Sequence, residues 1–128
     1  MRARPRILLV EDAPDIREVF QMLLEAEGAS VVATGSGREG AWLAARGEFD
    51  IVLTDLGLPD ISGETVIRHA LRNARRRPRV IVVTGYGEPF ASRARGAGAD
   101  LVLTKPVVWS SLVEELALDQ DDRVAASL

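Results

Sequence analysis

Ile7-Leu-Leu-Val-Glu-Asp12 is the stretch on which the fold turns. It opens on an unbroken apolar run, as expected of a strand covered on both faces, and closes on a pair of carboxylates. Further out, comparable runs recur at Val31-Val-Ala33, Ile51-Val-Leu53, Val80-Ile-Val-Val83 and Leu101-Val-Leu103. The segments between them carry apolar residues at helical spacing. Ile16, Val19, Phe20, Leu23 and Leu24 predict a first helix closed by Gly28, and Ala41, Trp42, Leu43 and Ala45 a second stopped near Gly47. Val66, Ile67, Ala70, Leu71 and Ala74 predict a third, which Pro78 bars from continuing. Phe90, Ala91, Ala94 and Ala97 predict a fourth, weakened by Gly96 and Gly98, and Trp109, Leu112, Val113 and Leu116 a fifth. Strand and helix alternate as (βα)5. Right-handed crossovers then place helices on both faces of a parallel sheet.

Ligands of such sheets bind at the carboxyl ends of the strands, beside a switch in strand order. Glu11 and Asp12 follow the first strand, Asp55 the third, Thr84 the fourth, and Lys105-Pro106 the fifth. A doubly wound order sets the first and third strands side by side, so carboxylates distant in sequence converge. Clustered carboxylates repel, and a hard divalent cation relieves the repulsion; oxygen ligands with open positions suit Mg²⁺ (or Mn²⁺). Lys105 adds a mobile positive charge and Thr84 a hydroxyl. Together these groups suit the equatorial oxygens of a transferring phosphoryl group, with Asp55 as carboxylate nucleophile.

The chain has 128 residues, enough for one domain with its own core, and 47% of them are hydrophobic. A net charge of -3 offers no cationic field for nucleic acid. The absence of cysteine excludes disulfides and thiolate metal sites and makes a reducing cytoplasm the simplest location. The apolar runs are too short for membrane insertion. Residues 1–128 read as a single domain, with a core at about 5–118 and a polar, frayed tail at 119–128. No output module is expected within this length.

Leu8-Leu-Val-Glu-Asp12, Leu53-Thr-Asp-Leu-Gly-Leu-Pro-Asp-Ile-Ser-Gly63, Val83-Thr-Gly-Tyr-Gly87 and Leu103-Thr-Lys-Pro106 each follow their own strand in order. In these segments the chain resembles the receiver domain of two-component response regulators, of the chemotaxis-regulator type. The resemblance implies a flavodoxin-like, three-layer sandwich with strand order 2-1-3-4-5. It makes Asp55 the phosphoacceptor, charged from a phosphohistidine on a sensor histidine kinase or a histidine phosphotransfer protein. Asp12, Glu11, Asp55 and the backbone carbonyl of Gly57 become the metal ligands. Lys105 pairs with the phosphoryl oxygens, Thr84 swings towards them, and the bond before Pro106 is expected to be cis. Such a domain catalyses only its own phosphorylation and dephosphorylation, and is not otherwise an enzyme. Phosphorylation then switches an unidentified downstream protein on the face of the fourth helix, fifth strand and fifth helix. Asp-Leu-Gly-Leu-Pro together with Thr-Gly-Tyr-Gly looks most like receivers attached to hybrid histidine kinases, which implies a phosphorelay role.

The chain departs from that pattern in places. Val102 stands where many receivers carry the aromatic residue coupled to the threonine, and Tyr86 is a candidate to take over part of that coupling. The alternative function is therefore a phosphate shuttle or sink without a conventional output switch. Gly57, two residues after Asp55, leaves the approach open. It also counts against a phosphatase of the haloacid dehalogenase type, which needs a second aspartate there. A pure interaction module would not need Glu11, Asp12, Thr84 and Lys105 together. Asp12 or Asp15 is expected to cap the first helix as well. His69 reads as solvent-facing, Trp42 as packing, and the run Arg72, Arg75, Arg76, Arg77 and Arg79 as cations at a helix C-terminus. Trp109 is open between core packing and partner contact.

Overall fold

The computed structural model describes residues 4–116. The tail at 119–128 lies outside the described residues. Element order is β1 (Arg6–Val10), α1 (Pro14–Ala26), β2 (Ser30–Thr34), α2 (Gly37–Arg46), β3 (Ile51–Thr54), α3 (Gly63–Asn73), β4 (Arg79–Thr84), α4 (Phe90–Ala97), β5 (Leu101–Thr104) and α5 (Trp109–Leu116). The sheet is parallel in the order β2-β1-β3-β4-β5. Every expected element forms.

The unbroken apolar runs are explained by where alternate residues go. Leu8, Val10, Val52, Val80 and Val82 face one core with Ala44 of α2, Val66, Ile67 and Ala70 of α3, and Ala94 of α4. Ile7, Leu9, Ile51, Leu53, Ile81 and Val83 face the opposite core with Leu24 of α1 and Leu112 and Leu116 of α5. The result is the three-layer, flavodoxin-like arrangement expected from sequence. Each of the fully buried aliphatic chains contributes about 1.5–3 kcal/mol of hydrophobic stabilisation, so the sheet centre is a stiff base for its edges.

The fourth helix survives its glycines. Gly96 lies within it, and Gly98 ends it at φ 120°, a left-handed turn that suits glycine. Gly28 does the same after α1, at φ 102°. The second helix packs so closely on β1 that a Cβ at Gly40 would overlap Val10. Small residues therefore take its buried face, and Trp42 turns outward, 54% exposed, with the Arg46 guanidinium 4.3 Å from its ring centroid. This corrects the expectation that Trp42 packs in the core.

The arginine run is also corrected. The third helix ends at Asn73, and Ala74 is already extended, so only Arg72 sits in a last helical turn. Arg76, Arg77 and Arg79 instead pair with Asp50, Asp100 and Glu115. They tie the amino-terminal edge of the sheet together, at the opposite end of the strands from Asp55, Thr84 and Lys105. Arg79 also donates to the Glu115 carbonyl in α5. His69 is exposed, as expected. Trp109 is partly buried, packs on the α1–α5 core and meets Phe20, ring centroids 6.0 Å apart, so it has the packing role expected as one of its two readings.

Candidate functional site

The backbone ladder runs one residue past each strand and carries the chemistry with it. The Glu11 amide donates to the Thr34 carbonyl (3.0 Å), that of Asp55 to Val10 (3.0 Å) and that of Lys105 to Thr84 (2.8 Å). Glu11, Asp55 and Lys105 are thus fixed at one sheet edge by main-chain bonds before any side-chain contact is counted.

There, Lys105 Nζ donates to Glu11 Oε1 and to Asp55 Oδ2, each at 3.0 Å. Asp55 Oδ1 accepts from the amides of Leu56 (2.7 Å) and Gly57 (3.3 Å), which fixes the rotamer of the carboxylate. Glu11 is buried, and its second oxygen accepts from the Ala13 amide at 3.2 Å. Burial of the Lys105 ammonium works to lower its pKa, but the bonds to Glu11 and Asp55 and their charges outweigh it. The pKa is raised above its ordinary value, and the lysine stays a cation.

Carboxylate oxygens of Glu11, Asp12 and Asp55 lie within 4.8 Å of one another. This all-oxygen set from three separate backbone positions fits a hard divalent cation and leaves room for water or phosphoryl oxygens. Neither Asp12 nor Asp15 caps α1, contrary to expectation. The cap position is Ala13, which makes no side-chain cap bond, and Pro14 opens the helix. Asp12 instead joins the acidic cluster, while Asp15 lies in the first turn, where its charge suits the helix dipole.

The other expected residues lie around this centre. The bond between Lys105 and Pro106 is cis. Thr84 is fully buried, and its hydroxyl accepts from the Tyr86 amide at 3.1 Å. Tyr86 lies over Gly57, where a Cβ would be 3.4 Å from its ring, and packs on Phe90 at 5.1 Å between centroids. Leu56, Gly57, Ser62, Glu64, Tyr86, Phe90 and Arg93 enclose a groove of about 310 Å³ beside Asp55. Val102 pairs with Val82 in the sheet and packs half-buried against the core that faces α2, α3 and α4.

Two supporting residues were not singled out from sequence. Asp60 accepts from Ser36 Oγ (2.8 Å) and from the amides of Gly37 (2.8 Å), Arg38 (2.9 Å) and Ile61 (2.9 Å). The Arg38 amide bond is the largest cause that holds its carboxyl well below the usual carboxylate range. Asp60 thereby clasps the loop after Asp55 to the amino end of α2. Gly63 completes that loop. Its amide donates to the Leu56 carbonyl (3.0 Å), and a Cβ there would run into the Asp55 carbonyl. Arg17 is the other, donating from Nη1 to the carbonyls of Glu11 (2.9 Å) and Asp12 (3.5 Å).

Fold and site together define a parallel α/β domain with an acidic cation cluster and a lysine bonded into it. Residues 7–117 match the response regulator receiver domain family, and the chain belongs to that family. The cell cycle response regulator CtrA of Brucella abortus (strain 2308) is 35% identical over 112 residues, covering 87% of this chain and 48% of that protein. The chain therefore spans about half the length of the curated relatives it matches. Among solved structures, a CheY-like receiver domain protein from Methanospirillum hungatei JF-1 has a TM-score of 0.84 at 31% identity, over 94% of this chain and 98% of that one. The receiver domain of sensor histidine kinase PA1611 from Pseudomonas aeruginosa PAO1, with a magnesium ion in its active-site cleft, has a TM-score of 0.80 at 30% identity. It covers 90% of this chain and 96% of that one. Among the described residues, no helix is long and apolar enough to cross a membrane.

Proposed function

We propose that Asp55 accepts a phosphoryl group from a phosphohistidine, carried by a sensor histidine kinase or a histidine phosphotransfer protein. The observation that carries this reading is the placement of Asp55, whose Oδ2 is bonded to Lys105 Nζ at 3.0 Å while its carboxylate shares a cation cluster with Glu11 and Asp12. A carboxylate oxygen attacks phosphorus, the P–N bond to the donor imidazole breaks, and the imidazole leaves with the bonding pair. Water later attacks the same phosphorus, returning inorganic phosphate and the free carboxylate. Mg²⁺, when bound by Glu11, Asp12, Asp55 and the Gly57 carbonyl, supplies positive charge to the phosphoryl oxygens. Lys105 holds the acceptor in place and neutralises charge that grows during transfer. The domain turns over no separate substrate.

The same reading assigns Thr84 a change of partner. Its hydroxyl leaves the Tyr86 amide and donates to a phosphoryl oxygen, drawing in the loop that leads to α4. The phosphoryl group carries about −1.5 to −2 charge in place of the carboxylate's −1, and offers Thr84 new acceptor oxygens. Ile16, Val19 and Met22 form an exposed apolar strip on α1, next to the acidic loop, and suit a helical phosphodonor. A cytoplasmic location fits this chemistry. The downstream protein contacts α4, β5 and α5. Val102 favours a second reading, a phosphate shuttle or sink, because no aromatic side chain on β5 is there to follow Thr84.

Transfer from a phosphohistidine-bearing phosphotransfer domain tests the proposal. Label should leave the histidine and appear on this chain only when Mg²⁺ is present. Label that stays on every histidine donor, while a small phosphodonor still modifies Asp55, would refute the phosphohistidine source.

A further inference from the structure

The acidic cluster is not uniformly supported. Glu11 is held by Lys105 and the Ala13 amide, and Asp55 by Lys105 and the amides after it. The Asp12 carboxylate takes no such bond among the described residues, so its direction depends on its backbone. One side chain grips that backbone. Arg17, a turn into α1, reaches back so that Nη1 donates to the Glu11 carbonyl at 2.9 Å and lies 3.5 Å from that of Asp12. The shorter bond fixes the peptide plane between the two acidic residues, and the longer contact reaches the peptide that follows Asp12.

The guanidinium is also covered. Gly35, directly after β2, lies so close that a Cβ there would overlap Arg17 Nη1 and stand 3.6 Å from the Glu11 carbonyl oxygen. The arginine head is therefore sandwiched between two loops at the carboxyl edge, and glycine is the residue that leaves it room. Resting on the metal-dependent reading above, we infer that Arg17, seated by Gly35, is a positioning residue for the divalent cation, which holds Asp12 in ligating geometry through the backbone.

Charge and geometry act in opposite directions here, and this makes the inference testable. As a charge alone, Arg17 repels a divalent cation, so its removal should tighten binding. As a positioning group, its removal should weaken binding by roughly tenfold, the scale seen when an outer partner of a metal ligand is lost. Mg²⁺ titration calorimetry on the full chain, with urea unfolding in the absence of Mg²⁺ as the control for folding, separates the two. Arg17→Met and Gly35→Ala are both expected to weaken Mg²⁺ binding. Gly35→Ala keeps the charge and only displaces the guanidinium. Combining the two substitutions should add little, because both break one contact. Arg17→Lys should recover part of the affinity. Unchanged or tighter binding by folded Arg17→Met overturns the inference; if that variant does not fold, unchanged binding by Gly35→Ala does so. A wild-type chain that binds no Mg²⁺ would sink the metal-dependent reading itself, whereas binding by wild type with no change in the variants sinks only the role of Arg17.

Discussion

Lys105 Nζ stands 3.0 Å from Asp55 Oδ2, across a separation of 50 positions in the chain. The contact exists because β3, β4 and β5 end at one edge and the Lys105 amide is bonded to the Thr84 carbonyl. It places a cation on the residue proposed to accept the phosphoryl group, and the same cation also neutralises Glu11.

Replacing Lys105 with Met should therefore separate metal binding from chemistry. Mg²⁺ affinity should rise, since a competing cation is gone. The initial rate of Asp55 phosphorylation should fall by about 10²–10³-fold, as when one electrostatic stabiliser of a transition state is removed. Stopped-flow phosphorylation at saturating Mg²⁺ checks this; an unchanged rate would show that Lys105 is only a structural partner. The pKa of Lys105 is raised above 10.5, so its contribution to stability is complete below that value and is lost as pH rises through the folded value. Urea midpoints of wild type and Lys105→Met should keep a constant separation through neutral pH and converge only in strong alkali.

Asp60 makes the opposite pH prediction. Its folded pKa lies below 3.8, so its contribution is present above that value and lost as pH falls through the folded value. Asp60→Ala should lower the urea midpoint at neutral pH, because the amides of Gly37 and Arg38 lose their acceptor. The gap to wild type should shrink only in acid below the ordinary carboxylate range. A gap that stays constant into strong acid would contradict the clasp.

Gly57, two residues after Asp55, adds no side chain over the approach to it, and the Tyr86 ring is the neighbour that a side chain there would first meet. Gly57→Met should fill that approach and lengthen the life of the phosphorylated form several-fold. Phosphate release after rapid removal of the phosphodonor measures it. A shorter life would mean that the side chain opens the site by pushing Tyr86 aside.

Much of this molecule is legible in its sequence because two constraints act locally. Strands buried on both faces must be apolar at every position, so β1, β3 and β4 are plain, and the residue after each strand is necessarily at the sheet edge. Glu11, Asp55 and Lys105 could be found on that basis. Asp60 could not, because its partner Gly37 is 23 positions away and nothing local distinguishes its carboxylate from a turn residue. Arg17 was hidden for a similar reason, since an arginine in the first turns of a surface helix ordinarily points to water. Trp42 was misread because helical spacing does not reveal how closely α2 sits on β1, a distance set by Gly40.

The most direct measurement is intact mass after incubation with a small phosphodonor and Mg²⁺. Wild type should gain one phosphoryl group, and Asp55→Asn, shown by its unfolding curve to be folded, should gain none. A wild-type chain that binds Mg²⁺ yet gains no mass, or an adduct that persists in Asp55→Asn, would contradict the assignment of Asp55 as phosphoacceptor.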